Sequence, residues 1–173
     1  MQNYFELFEM PKAFFIDTQF LRKKFYSLSR EQHPDNLQNE DQNKNENDSK
    51  INEINLAYKI LLDPLQRLKH ILEIEGVSSV LEKPLEPSFL MEMIELHEEI
   101  HLAVQACDQE KINTLQKQLN DYEQILEVSK KSSISTYDSG QFDTKTLESL
   151  VDYFIKLRYI RRLKKALLNE DEM

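Results

Sequence analysis

Apolar side chains recur along this chain at helical spacing, and polar or proline-containing stretches separate the runs. Leu21, Phe25 and Leu28 repeat at i, i+4 and i+7 within the run from Thr18 to Gln32, which predicts a helix with one buried face. Asp17 stands ahead of it as an N-cap, with Ile16 before the cap and Leu21 four positions in, a spacing that suits a hydrophobic staple. Pro34 stops the run, because proline disfavours helical geometry at the residue before it and has no N–H to give. The stretch from Asn36 to Ser49 is dominated by Asn, Gln, Asp and Glu and reads as an exposed loop. From Lys50 the pattern returns with Ile51, Ile54, Tyr58 and Leu61, a helix able to pair antiparallel with the earlier one. Asp63-Pro64 then caps and opens a short helix carrying Leu65, Leu68 and Leu72, which Gly76 closes. At the N-terminus, Tyr4, Phe5 and Phe8 fall at helical spacing and are expected to anchor the segment Asn3 to Glu9 to this core, with Pro11 ending it.

The second half follows the same logic. Residues 77–87 contain Pro84 and Pro87 with little periodicity and read as a linker. Ser88 is the expected cap of the next helix. A heptad-like stripe of Ile112, Leu115, Leu119, Tyr122 and Leu126 marks the one after it. Lys130 to Asp143 is Ser-rich, contains Gly140 and reads as a loop, and Thr144 to Asn169 forms the last helix. Three helices with short connections predict an antiparallel bundle. The expectation is an all-α chain: an N-terminal helical unit at 1–76, a linker at 77–87 and a C-terminal three-helix bundle at 88–173.

One helix carries two apolar faces. At about 100° per residue, Phe89, Met93, Leu96, Ile100, Ala103 and Val104 cluster on one arc that can face the bundle core. Leu90 and Ile94, and more distantly Met91, lie off that arc beside Glu95, Glu98 and Glu99. An apolar patch rimmed by charge is what a partner site looks like, unless another part of the chain covers it.

Composition narrows the function. The chain has 173 residues, a net charge of −9, two glycines and one cysteine. Two glycines cannot build a Gly-rich phosphate loop. A single cysteine, Cys107, excludes a disulfide scaffold and Cys-ligated zinc. The acidic balance argues against nucleic-acid binding by the whole molecule, and no run is long and apolar enough to span a membrane. Charge is nevertheless segregated. Arg22, Lys23, Lys24 and Arg30 sit in a stretch without acidic residues, and Lys156, Arg158, Arg161, Arg162, Lys164 and Lys165 form a second basic run. Glu86, Glu92, Glu95, Glu98 and Glu99 form an acidic one. Such polarity suits protein partners with complementary charge, although most such runs are solvated helix faces.

His97-Glu98-Glu99-Ile100-His101 matches the zinc-protease pattern H-E-x-x-H, with two His one helical turn apart and Glu98 as a possible base. A catalytic zinc needs a third protein ligand, and no further His follows. The zinc-hydrolase reading is therefore disfavoured. Cys107 lies beside Asp108 and Glu110, which disfavour a thiolate. No catalytic constellation remains, so the chain is expected not to be an enzyme.

His33-Pro34-Asp35 lies between two helices. With the aromatic segment Asn3-Tyr4-Phe5-Glu6-Leu7-Phe8, the basic helix before the tripeptide, and the run Ile51-Asn52-Glu53 through Ala57-Tyr58 to Leu61, it resembles a J-domain. The continuation Asp63-Pro64-Leu65-Gln66-Arg67, and then Phe89-Leu90-Met91-Glu92, resembles the HscB family of iron–sulfur-cluster co-chaperones over nearly the whole chain. The resemblance implies that residues 1–76 are a J-domain that docks on an ATP-bound DnaK/HscA-type chaperone and stimulates its ATP hydrolysis. His33, Pro34 and Asp35 would be the trigger, and Arg22, Lys23, Lys24 and Arg30 the basic docking face. It implies too that the bundle holds the scaffold protein IscU through Leu90, Met91 and Ile94, with Tyr159 from the last helix and an acidic rim of Glu95 and Glu98. Neither cofactor nor metal, nucleic acid nor membrane is expected to take part, and a cytoplasmic setting follows. Asn36 stands where many J-domains carry lysine after the tripeptide, and Glu31 interrupts the basic helix; both bear on chaperone docking. The rival reading is a J-protein adaptor for a different client.

Overall fold

The computed structural model describes residues 2–32, 44–77, 84 and 86–168, with the backbone alone for 44–47. Among these residues all regular structure is α-helical. They fall into two compact units, Met1–Gly76 and Val77–Met173.

The first unit holds α1 (Tyr4–Leu7), α2 (Thr18–Glu31), α3 (Lys44–Leu62) and α4 (Pro64–Ile74). Both α1 and α2 pack against α3, and α4 folds back on it. The helix starts obey local chemistry. Asp17 Oδ1 accepts from the N–H of Gln19 at 2.9 Å and of Phe20 at 3.0 Å. Asp63 Oδ1 accepts from Leu65 and Gln66 at 2.7 and 3.0 Å, and Pro64 takes the first helical position, where a missing N–H costs nothing. Leu21 is fully buried, and Phe25, half-buried, stacks on Tyr58 with ring centroids 4.2 Å apart. Phe5 and Phe8 are buried, so the short α1 is held by its aromatic anchors. Helix α4 contributes two buried polar groups. Arg67 donates to the Leu61 carbonyl and lies over the Phe14 ring at 5.3 Å. His70 Nε2 accepts from the Tyr4 N–H at 3.1 Å and stacks on the Tyr4 ring at 4.5 Å.

Helix α3 begins at Lys44, not at Lys50 as the polar pattern implied. The stretch 36–49 contains neither Gly nor Pro. Its polarity therefore does not by itself break a helix where the described residues resume at Lys44; residues 36–43 of the expected loop lie outside them.

The second unit is a three-helix bundle of α5 (Pro87–Gln105), α6 (Gln109–Asp138) and α7 (Thr144–Leu167). Its core draws Met93, Leu96, Ile100 and Ala103 from α5, Leu115 and Leu119 from α6, and Ile160, Leu163 and Leu167 from α7. Along α6 from Glu123 to Lys130 and Ser133, the partners on α7 step backward from Lys164 to Asp152 and Ser149. That is antiparallel pairing.

Two expectations fail here. Ser88 does not cap α5: Pro87 opens the helix, and Glu86 holds the cap position without a side-chain hydrogen bond. Proline's fixed φ sets the first turn without one. The expected linker therefore ends before Pro87. Nor is 130–143 a loop, since α6 runs on to Asp138. Buried Ile134 and Tyr137 continue, at helical spacing, the apolar stripe of buried Leu119 and half-buried Tyr122 and Leu126. The serines and Thr136 sit at exposed or half-buried positions between them, where Ser129 and Thr136 hydroxyls bond back to carbonyls of the preceding turn. Lys130 reaches Asp152 at 2.8 Å. Burial pushes the Asp152 carboxyl up, but hydrogen bonds and charge from Lys130 and Lys156 outweigh it and hold it below the ordinary value. Burial, reinforced by Glu127 and Glu123, pushes the Tyr153 hydroxyl up to about 12.

Candidate partner surfaces

The basic helix does not present its four cations on one face. About 100° per residue separates neighbours, so Arg22 and Arg30 share an outward face with Tyr26, and Lys23 borders it. Arg22, Lys23, Tyr26 and Arg30 are exposed, and Lys24 is half-buried. Arg22 lies over the Tyr26 ring at 5.8 Å. The hydrogen bond to Tyr26 raises the Arg22 guanidinium above the usual arginine value, aided by the Tyr26 and Tyr58 hydroxyls. Lys24 falls on the flank next to the arc of buried Leu21 and half-buried Leu28, and its ammonium pairs with Glu9. Glu31 turns to Ser27, whose hydroxyl donates to it at 3.0 Å. His33, Pro34, Asp35 and Asn36 lie outside the described residues.

On α5 the two arcs read from the sequence are present. Met93, Leu96, Ile100 and Ala103 are buried. Leu90, Met91 and Ile94 are exposed at 36%, 63% and 50%. Glu95 and Glu98 are exposed beside them, while Glu99, on another side, pairs with Lys111 of α6 at 2.6 Å. Helix α7 brings in Tyr159. Lys156 Nζ lies 5.5 Å over the Phe89 ring, and Ile160 joins the same core cluster as Met93. With α5 and α7 in this parallel register, half-buried Tyr159 comes level with the first two turns of α5. Leu102, 64% exposed, continues the i, i+4 line of Leu90, Ile94 and Glu98. Counting on from Ile94 by two such steps would have found it in the sequence, as counting from Arg22 would have found Tyr26.

His97, Glu98 and His101 are all exposed. Among the described residues no group of three or more His, Cys, Asp or Glu side chains is placed to hold a metal ion. No helix among them is long and apolar enough to cross a membrane.

Both units match known families. The DnaJ domain family matches residues 3–70, and the HSCB C-terminal oligomerisation domain family matches residues 85–168. The co-chaperone protein HscB homolog of Vibrio parahaemolyticus is 30% identical over 178 residues, spanning 99% of this chain and 98% of that one. The chain belongs to the HscB family of co-chaperones. The structure agrees with that membership. Chaperone HscB from Vibrio cholerae superposes with a TM-score of 0.77 at 26% identity, over 99% of this chain and 98% of the other. Human co-chaperone HscB shares the fold at 21% identity and a TM-score of 0.78, over 100% of this chain and 84% of that one. Within an HscB-family chain, α1 to α4 are the J-domain part and α5 to α7 the family's C-terminal helical domain.

Proposed function

We propose that this co-chaperone couples two binding events. Its J-domain docks on an ATP-bound DnaK/HscA-type chaperone and stimulates ATP hydrolysis, and its bundle delivers an IscU-type scaffold protein to that chaperone in iron–sulfur cluster assembly or transfer. Docking uses Arg22, Lys23, Lys24 and Arg30, with His33, Pro34 and Asp35 as trigger. Scaffold binding uses Leu90, Met91, Ile94, Glu95, Glu98 and Tyr159. The chain works by binding, with hydrolysis on the chaperone, in the cytoplasm.

The observation that carries the reading is the second apolar face of α5. Leu90, Met91 and Ile94 stay exposed while the neighbouring arc fills the bundle core. Exposed apolar surface beside exposed Glu95 and Glu98 fits a partner that offers an apolar surface edged with basic groups. The cationic α2 is suited to steering onto an acidic chaperone surface, with a rate that falls as salt rises.

The test is steady-state ATP hydrolysis by the organism's DnaK-type chaperones with this protein, and then with its IscU-type scaffold added. Stimulation that rises further with the scaffold supports both halves. Stimulation without a scaffold effect leaves the J-domain and turns the bundle to a different client. No stimulation of any chaperone overturns the docking assignment.

A further inference from the structure

Glu9 occupies a backbone position that disfavours it. It follows the C-cap of α1 with φ at 52°. Its N–H bonds to the Glu6 carbonyl at 3.0 Å, and that of Met10 to the Phe5 carbonyl at 2.9 Å. These are the paired bonds of a helix end whose left-handed residue is usually glycine, because a Cβ is strained there. The side chain held in that conformation is 72% exposed and pairs with Lys24, a member of the basic set assigned above to chaperone docking. A strained residue kept in place of glycine, whose side chain also makes an ion pair, points to a use for that side chain. Its carboxylate offsets the charge of one docking cation.

We propose that Glu9 is a built-in competitor of the chaperone. In the free protein it neutralises Lys24, and docking requires the chaperone's acidic surface to displace it. This inference rests on the docking function proposed above. Lys24 lies on the flank of α2 and Glu9 reaches it from the turn after α1, so the pair can part by side-chain rotation without moving a helix. The contact is weak enough to be exchanged, since exposed pairs of this kind change an equilibrium about two- to fivefold at most. Removing the carboxylate leaves Lys24 uncompensated, raises the positive potential of the docking face and speeds encounter with an acidic partner.

The experiment measures stimulation of a DnaK-type chaperone's ATPase against the concentration of the full-length protein. Glu9→Gln keeps the backbone strain and removes the charge; Lys24→Ala removes the contested cation. At low salt Glu9→Gln is expected to lower the half-saturating concentration about two- to fivefold, with the gain fading as salt screens the pair. Lys24→Ala is expected to raise it, and adding Glu9→Gln to Lys24→Ala should change nothing further. A Glu9→Gln protein that matches or falls below wild type, with Lys24→Ala still weakened, overturns the competitor role and leaves the docking reading standing. A Lys24→Ala protein equal to wild type, when Lys23→Ala is weakened, likewise overturns it alone. A wild type that stimulates no chaperone overturns the docking reading and the competitor with it.

Discussion

Among the described residues four have left-handed backbones: Glu9, Gly76, Cys107 and Gly140. The chain has two glycines, and both are at such positions. Cys107 ends α5 with φ at 51°, its N–H bonded to the Val104 carbonyl at 3.1 Å and that of Asp108 to the Ala103 carbonyl at 3.0 Å. Its side chain is exposed, so strain is not offset by burial. Cys107→Gly should therefore stabilise the fold by about 0.5 kcal/mol, the relief of left-handed strain less glycine's greater entropy loss. A rise in the urea midpoint at unchanged slope checks it; a fall would mean the thiol contributes more than the backbone costs. His70 gives a pH dependence. Burial lowers its folded pKa below 6.5, with Glu73 opposing, and neutral Nε2 is what accepts the Tyr4 N–H. The unfolded chain therefore binds the proton more readily. His70's contribution is complete above about 6.5 and is lost as pH falls from there toward the lower folded value. The urea midpoint of wild type should drop more between pH 7.5 and 5.5 than that of His70→Gln, whose carbonyl can still accept from Tyr4. Equal drops would mean His70 does not drive the change. The spacing of Tyr4 and Phe5 announced an anchored N-terminus, but nothing local to His70 said that it is the anchor, since the contact joins residues 66 apart.

Helix interiors were legible and their ends less so. Periodicity located α2, α4, the core arc of α5 and the stripe of α6, because burial of one face is written directly in spacing. It misplaced the start of α3 and the end of α6, where composition resembled a loop. The last turns of α6 exist because Ile134 and Tyr137 are buried and Tyr137 packs on Phe142 at 4.7 Å. Tertiary packing overrides weak propensity there. Ile134→Ala should cost about 2–4 kcal/mol as a core truncation. Ile125→Ala, at a position 68% exposed on the same helix, should fall within about 0.5 kcal/mol of wild type. Chemical denaturation of the two variants compares them directly. Similar losses at both positions would mean that helix propensity, and not burial of one face, holds the second half of α6.

The proposed coupling makes a demand on the molecule that neither unit meets by itself. Each unit has its own core and exposes one candidate face, cationic on α2 and apolar on α5. An adaptor needs both faces on one chain, because its effect is to raise the concentration of the scaffold at the chaperone it has engaged. Leu90→Ser with Ile94→Ser removes apolar side chains that the bundle core does not use, so thermal stability should stay within a few degrees of wild type. Stimulation of the chaperone without scaffold should persist, and the further rise with scaffold should disappear. Lys23→Ala with Arg30→Ala, exposed cations on α2, should weaken both activities and steepen neither melting curve. Mixing the two double variants then decides the mechanism. If the faces work in cis, the mixture gives no scaffold-dependent rise, since no molecule in it carries both. Recovery of the rise would show that scaffold and chaperone are engaged by separate copies, and the single-chain adaptor would have to be replaced by an assembly.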